Sequence, residues 1–267
     1  DVDLLAWQDQ LEALSLRLAG ETLLVNHRLT LGATQSTEWI VNSEGTRIRQ
    51  PRVHLRLSAW ASARADDGMD VTLYRWRDVH TPDHLPSSEE LGAWVEELRH
   101  DVLELREAPR ADPWNGPILL RGAAAGVFVH EVIGHRVEGH RQKDEEEGQT
   151  FKSLVGETIT SRDISIVDDP TQATWAGIDL NGHYAYDQEG VAAQPATIIQ
   201  DGVFKGFLLS RSPLPDHPNS NGHGWAMVGL APVARMANTI VTTRKPLSED
   251  ELRARMRQEL RSQRLEY

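Results

Sequence analysis

Cysteine is absent from this chain of 267 residues. A disulfide framework and a cysteine-based zinc site are therefore both excluded within these residues. No apolar run of about 18 or more residues occurs, so no transmembrane helix is predicted. The first residues, Asp1-Val2-Asp3-Leu4, have no basic stretch followed by an apolar one, and no signal peptide is expected. These absences make the cytoplasm the expected location.

Basic residues are fewer than acidic ones, with 28 Lys and Arg against 40 Asp and Glu, so the formal net charge is −12 at pH 7. A basic surface for nucleic acid is therefore not expected, and anionic membrane surfaces would be poor partners. The 39% of hydrophobic residues is enough to bury a core, and the length suits one large domain or two ordinary ones. Because the chain lacks an initiator Met and stops within a helical pattern, we interpret it as a fragment or a processed chain.

Residues 1–107 have the pattern of an α+β unit, an antiparallel sheet with flanking helices. Leucines at helical spacing predict a first helix that stops at Gly20, and a serine cap at Ser87 or Ser88 precedes a second. Alternation of apolar and polar residues predicts strands between these helices, at 22–31, 37–42, 46–64 and 70–78.

Residues 108–117 are predicted to be a linker, because they hold three prolines and a glycine. Residues 118–267 are predicted to form a β-rich domain that contains a buried motif helix, since the residues after Gly122 are small and apolar nearly all round. A strand at 118–120, a hairpin turning at Asp201-Gly202 and a last helix capped by Ser248 are also expected. The acidic run 144–147 is predicted to be a solvated loop.

The segment His130-Glu131-Val-Ile-Gly-His135 carries the chemistry that the sequence suggests most clearly. Imidazole is the commonest zinc ligand, and an adjacent carboxylate can act as a general base. Five residues of a regular α-helix turn through roughly 500°, which leaves the two histidines about 140° apart. They would converge through a single π-turn, or if the helix loosened at Gly134.

A second geometry needs no distortion of the helix. Glu131, His135 and Glu138 lie at i, i+4 and i+7 and share one helical stripe, which could bind iron or manganese, or could simply hold Glu–His pairs that stabilise the helix. The small apolar residues before His130 predict a dry environment for His130 and Glu131. A buried carboxylate there would need a partner or a metal.

Several blocks of sequence resemble the TldD/PmbA family of metallopeptidases. The first runs from Gly116 through His130-Glu131-Val-Ile-Gly-His135-Arg-Val-Glu-Gly139. Two more are Tyr186-Asp-Gln-Glu-Gly-Val-Ala-Ala-Gln194, followed by Asp201-Gly-Val203, and Arg235-Met-Ala-Asn-Thr239. Asn42-Ser-Glu-Gly45 with the strands after it resembles the later part of the family's N-terminal domain. The resemblance covers roughly residues 1–245.

The resemblance implies that His130 and His135 bind Zn²⁺ and that Glu131 is the general base of a peptidase. It implies cleavage of unfolded peptides or peptide precursors in a dimeric cavity, built as a homodimer or as a heterodimer with a sister subunit that lacks the motif. The family's third zinc ligand is a downstream cysteine. Because this chain has none, it is either a truncated piece without the C-terminal portion of the metallopeptidase domain, or another residue completes the site.

Several further polar residues are candidates for additional ligands or for supporting contacts. His140 follows the motif by five residues and could replace the missing ligand. His183 and His223 lie in Gly-rich loops, and Asp187 could orient a ligand histidine, as could Glu138. Ordinary surface or turn roles are the competing interpretation for each. For the whole chain, the alternative to a peptidase is a non-catalytic scaffold or partner subunit of such a dimer.

Overall fold

The structure is a computed structural model that describes residues 2–143 and 149–263. It has four α-helices: α1 Leu4–Ala19, α2 Ser88–Glu107, α3 Gly122–Val129 and α4 Glu249–Ser262. Its strands are β1 Leu24–Val41, β2 Arg47–Arg64, β3 Asp70–Val79, β4 Ile164–Asp168, β5 Thr174–Trp175, β6 Ile178–Asp179, β7 Ala196–Gln200, β8 Val203–Phe204, β9 Gly224–Trp225, β10 Val233–Ala234 and β11 Thr239–Thr243. The predicted acidic loop at 144–147 lies outside the described residues.

Shorter helical turns complete the secondary structure, and several of them surround the predicted metal-binding motif. A π-helical turn occupies His130–Gly134, and 3₁₀ turns occupy Pro82–His84, His135–Val137, Gly139–Lys143 and Gln149–Phe151. Within the described ranges, no helix is both long enough and apolar enough to cross a membrane.

Two compact units divide the chain. The first consists of residues 1–38, 49–112 and 176–179, and the second of residues 39–48, 113–175 and 180–267. The division is therefore interleaved along the sequence, since each unit includes a short segment from the other side of the predicted linker.

The first unit is built on a three-stranded sheet in the order β1-β2-β3, with α1 and α2. Alternate residues of β2 are buried, and they pack against the apolar stripe of α2. The predicted strands at 22–31 and 37–42 are in fact one strand, because nothing between them forces a turn: Gly32 does not take a positive φ. The core consists of Leu14, Leu18, Leu57, Ala59, Ala61, Ala63, Leu91, Val95, Leu98 and Val102.

The second unit is built on a four-stranded antiparallel sheet in the order β11-β4-β7-β8. The predicted hairpin is present, and its turn places Asp201 at φ 50° and Gly202 at φ 80°, the left-handed backbone that an Asp-Gly turn supplies. The predicted strand at 118–120 is not formed. The mixture of helices and antiparallel sheets is the α+β fold that the sequence predicts.

The motif helix differs from its prediction in one respect, because no residue of α3 is buried. Val127 and Phe128 are 57% and 53% exposed, so the apolar surface that suggested burial faces outward in this chain. An apolar composition shows only that a helix has surface to cover; it does not require that the same chain covers it. The burial that does occur begins at the last residue of the π-turn, and it includes Gly134, Val137, Glu138 and Gly139.

Candidate metal centre

A π-turn brings the two motif histidines together. The backbone N–H of His135 donates to the carbonyl oxygen of His130, five residues earlier, and also to that of Ile133. An i to i+5 hydrogen bond adds one residue to the turn, and it removes the angular offset that a regular helix would impose. Of the two ways in which the histidines could converge, the structure contains the first.

The side chains of the motif form a compact donor group. The ring centroids of His130 and His135 are 4.5 Å apart, with the rings nearly perpendicular at 79°. One donor atom from each of His130, Glu131 and His135 lies within 4.8 Å of the other two. Glu131 Oε1 is 4.0 Å from His130 Nε2.

Water reaches this group from one side. The side chains of His130 and Glu131 are 49% and 60% exposed, so the predicted dry environment for these two residues is wrong. The reason is that α3 is not covered within this chain. Glu131 therefore needs no buried partner, and its carboxylate is accessible to water.

Gly134 lets the π-turn pack closely on the core. A Cβ atom at this position would lie 2.0 Å from Sδ of Met236, closer than any ordinary contact. Met236 packs against the core of the second unit, so the missing side chain brings the turn against that core. The glycine of the motif is thus explained by close approach, since its φ of −52° is ordinary.

A buried carboxylate lies behind the motif. Glu138 is fully buried, and its Oε1 is 3.2 Å from Nδ1 of His135. Arg141 Nε donates to Glu138 Oε2 at 2.7 Å, and Arg235 Nη1 lies 3.2 Å from both oxygens. With its oxygens engaged in this way, Glu138 is not among the described residues grouped as possible ligands around His130.

Two other predicted histidine candidates lie outside the donor group as well. His140 is on the 3₁₀ turn after Glu138, and its Nδ1 is buried without a hydrogen-bond partner among the described residues. Burial lowers the pKa of His140 below its usual value. His183 is exposed, and its Nδ1 pairs with the carbonyl oxygen of Pro170 at 3.0 Å.

The last two candidates, His223 and Asp187, organise loops. His223 is fully buried, and its Nδ1 lies 2.9 Å from the carbonyl oxygen of Asn221, while its Nε2 is 3.2 Å from Asp168 Oδ1 without the alignment of a hydrogen bond. Asp187 is fully buried and accepts three backbone N–H groups, those of Glu189, Val191 and Gly224.

Sequence reasoning missed the arginines around Glu138. Arg141 was not singled out, because it lies among charged residues that favoured a solvated loop. Arg235 was noted only as the first residue of a block that resembles the family. That block also contains Met236, which packs on Gly134. The presence of the block in the sequence was therefore a signal that this segment contacts the motif.

A second group of possible metal ligands lies on α2, where His100, Asp101 and Glu104 come together. All are on the surface of the helix, and Asp101 forms a salt bridge with Arg75. An exposed i, i+1, i+4 cluster of this kind is explained by helix-surface pairing, and no further donor of the described chain joins it.

The motif residues suit a zinc ion better than a hard cation. Two imidazoles are nitrogen donors typical of zinc sites, and Glu131 places a carboxylate beside them, whereas calcium or magnesium sites are built from oxygen. One of the imidazoles is already anchored through its Nδ1 to a buried carboxylate, as metal-binding histidines commonly are. The residues present thus fit a zinc centre.

Comparison with known proteins supports the family. Residues 114–261 match the model of the PmbA/TldA metallopeptidase C-terminal domain. A protein named metalloprotease from Methanothermobacter thermautotrophicus is 32% identical over 231 residues, which cover 82% of this chain and 46% of that protein. A zinc metalloprotease TldD homolog from Saccharolobus solfataricus is 27% identical over 96 residues, covering 36% of this chain and 20% of that protein.

Solved structures show the same fold. A protein from Thermotoga maritima, described as a candidate modulator of a DNA gyrase, matches with a TM-score of 0.73 at 20% identity, over 93% of this chain and 54% of its own. TldE from Thermococcus kodakarensis matches with a TM-score of 0.59 at 18% identity, over 90% of this chain and 52% of its own. The chain spans less than half the length of these two curated relatives. With more than half of its residues matched by the family model, this chain belongs to the TldD/PmbA family of metallopeptidases.

Proposed function

We propose that this chain is the motif-bearing part of a zinc-dependent peptidase that hydrolyses unfolded peptides or peptide precursors. The observation that carries the proposal is the convergence of His130, Glu131 and His135 within 4.8 Å through a π-turn. A helical distortion that unites two imidazoles and a carboxylate on a water-exposed face is costly to maintain without a function for the group. The family and the names of its relatives point to the same chemistry.

Each of the three side chains has a role in the proposed reaction. His130 and His135 would hold the zinc ion, which when bound supplies Lewis acidity that polarises a carbonyl group and makes water more acidic. Glu131 would take a proton from the attacking water and return it to the nitrogen of the leaving amine. Its exposure suits this role, since a base must reach both solvent and substrate.

The remaining expectations for the whole protein are part of the same proposal. The protein works in the cytoplasm as a dimer with an internal cavity, either with a second copy or with a sister subunit that lacks the motif. Residues 1–107 would be the later part of the family's N-terminal domain, 108–117 the linker, and 118–267 part of the metallopeptidase domain.

Metal content and hydrolysis, measured together, test the proposal. The chain is purified as wild type and as His130→Ala, Glu131→Gln and the exposed control Glu157→Gln. Zinc is measured by elemental analysis, and cleavage of a library of unstructured peptides by mass spectrometry. We expect about one zinc per chain in wild type and in both glutamine variants, and loss of zinc in His130→Ala. Glu131→Gln should lose turnover, whereas Glu157→Gln should keep it.

Three outcomes would contradict the proposal. Turnover retained in Glu131→Gln would remove Glu131 as the base. Zinc absent from the wild type, or unchanged in His130→Ala, would favour the alternative that this chain is a non-catalytic scaffold. The absence of a cysteine in these residues is the observation that favours that alternative.

A further inference from the structure

The environment of Glu138 is unusual enough to need an explanation. Its side chain is 0% exposed, yet it carries a carboxylate, and burying an ion costs several kcal/mol unless its partners compensate. Two guanidinium groups, from Arg141 and Arg235, donate to it. These two contacts compensate the buried negative charge of Glu138. The third contact, with His135, is not needed for that compensation.

That third contact determines which nitrogen of the His135 ring donates a hydrogen bond. Because both guanidiniums donate to Glu138, the group acts as a carboxylate, which only accepts hydrogen bonds. Nδ1 of His135, at 3.2 Å from Oε1, must therefore be the nitrogen that carries the proton. In the neutral ring this leaves Nε2 with a lone pair, which is the form in which an imidazole binds a metal.

The carboxylate is itself held in place from several directions. Arg141 is on the 3₁₀ turn that follows Glu138, whereas Arg235 comes from the segment directly after β10. The backbone on both sides of Glu138 is fixed as well, because the N–H of Gly139 donates to the carbonyl oxygen of Leu208 at 2.8 Å and the N–H of Leu208 donates to that of Val137 at 2.9 Å. An acceptor with so little freedom fixes the plane of the ring that donates to it.

We propose that Glu138 is a positioning residue, which sets the tautomer and the orientation of His135 so that Nε2 is ready for the metal, while Arg141 and Arg235 hold Glu138. The metal-binding half of this inference rests on the proposed function of the motif. The inference about the tautomer and orientation of His135 concerns the metal-free protein, and it rests only on the contacts described above. Loss of a partner that orients a metal ligand typically weakens metal binding by about 10- to 100-fold.

The test separates orientation from general stability. The variants are Glu138→Ala and Glu138→Gln in the full 267-residue chain. The control is Asp187→Asn, which alters another fully buried carboxylate of the same unit. The His135 tautomer is determined in metal-free protein by ¹⁵N NMR, with His135→Asn to identify the signal, and the zinc Kd is measured by competition with a chromophoric chelator.

We expect wild type to carry the His135 proton on Nδ1, and Glu138→Ala to lose that preference and to bind zinc about 10- to 100-fold more weakly. Glu138→Gln should lie between them, since its amide oxygen can still accept the bond, and Asp187→Asn should keep wild-type zinc affinity. A proton on Nε2 in the wild type, or a zinc Kd in Glu138→Ala equal to that of wild type, would overturn the inference. If no form binds zinc, the proposed function fails, and the tautomer still decides the positioning role.

Discussion

The ring of His130 stands almost perpendicular to that of His135, with 4.5 Å between their centroids, although the two residues are five positions apart in the sequence. A regular helix would leave these side chains about 140° apart, so the whole difference is absorbed in one π-turn. The group that could bind a metal therefore depends on a backbone hydrogen bond, the one from the His135 N–H to the His130 carbonyl oxygen.

Gly134→Ala should weaken this turn. The added Cβ would meet Met236 Sδ at 2.0 Å, and since the methionine side chain can move, we expect a loss of about 1 to 2 kcal/mol in the free energy of unfolding rather than a failure to fold. Zinc affinity should fall as well, because the turn sets the distance between the histidines. Urea denaturation and a zinc titration measure the two effects.

The matched control for this variant is Met236→Ala, alone and combined with Gly134→Ala. If the clash is the cause, Gly134→Ala should cost much less in the Met236→Ala background than in wild type, which a double-mutant cycle measures directly. Additive costs in the cycle would show that the glycine is required for some reason other than its contact with Met236.

Asp187→Asn should lower stability without affecting the metal. The carboxylate accepts N–H groups from Glu189, Val191 and Gly224, and an amide turns one of its two acceptor atoms into a donor that faces them. We expect a loss of about 2 to 3 kcal/mol in the free energy of unfolding, with zinc content unchanged. Loss of zinc at unchanged stability would instead make Asp187 part of the metal site.

His140 should make the stability of the chain depend on pH. Burial lowers its pKa in the folded protein below the ordinary value of 6.5, so as the pH falls the unfolded chain takes up the proton first. Stability should therefore decline with falling pH between these two pKa values. The slope is at most about 1.4 kcal/mol per pH unit, and smaller in practice because the ring is only partly buried.

His140→Gln should remove this contribution. Thermal unfolding of wild type and variant is compared at pH 8, where the histidine is neutral in both states, and then in steps down to pH 5. The stability difference between the two proteins should shift in favour of the variant as the pH falls. A difference that is constant with pH would show that burial does not disfavour the charged form of His140.

The elements that the sequence predicted best are those whose signals are local. The serine cap of α2, predicted at Ser87 or Ser88 and found at Ser87, the capping box of Ser248 and the Asp201-Gly202 turn each need only a few neighbouring residues, and the structure contains all three. The strand predicted at 118–120 rested on apolar character alone, which does not show whether a partner strand is available. The same limit explains the exposed helix α3, whose covering surface is not within the described residues of this chain.

For the candidate site, the sequence predicted the residues but not their arrangement. The i, i+5 spacing was compatible with two distortions of the helix, and only the structure shows that the helix contains the π-turn. The contacts of Glu138 could not be predicted from the sequence, for a different reason. Arg235 lies 97 residues further along the chain, and nothing in the local pattern indicates which side chain a buried carboxylate will meet at that distance.

The π-turn also accommodates one residue more than a regular helical turn. Removing one residue between His130 and His135 would restore a regular helical turn, with the histidines at i and i+4 on one face. The residues after the deletion would keep nearly the same direction, because four residues of α-helix and five residues of a π-turn both return a side chain to the same face. Glu138 lies three residues after His135 and would move with it, so the contact between them would be retained. The π-turn therefore absorbs the extra residue of this motif without changing where the second histidine, and the carboxylate behind it, are placed.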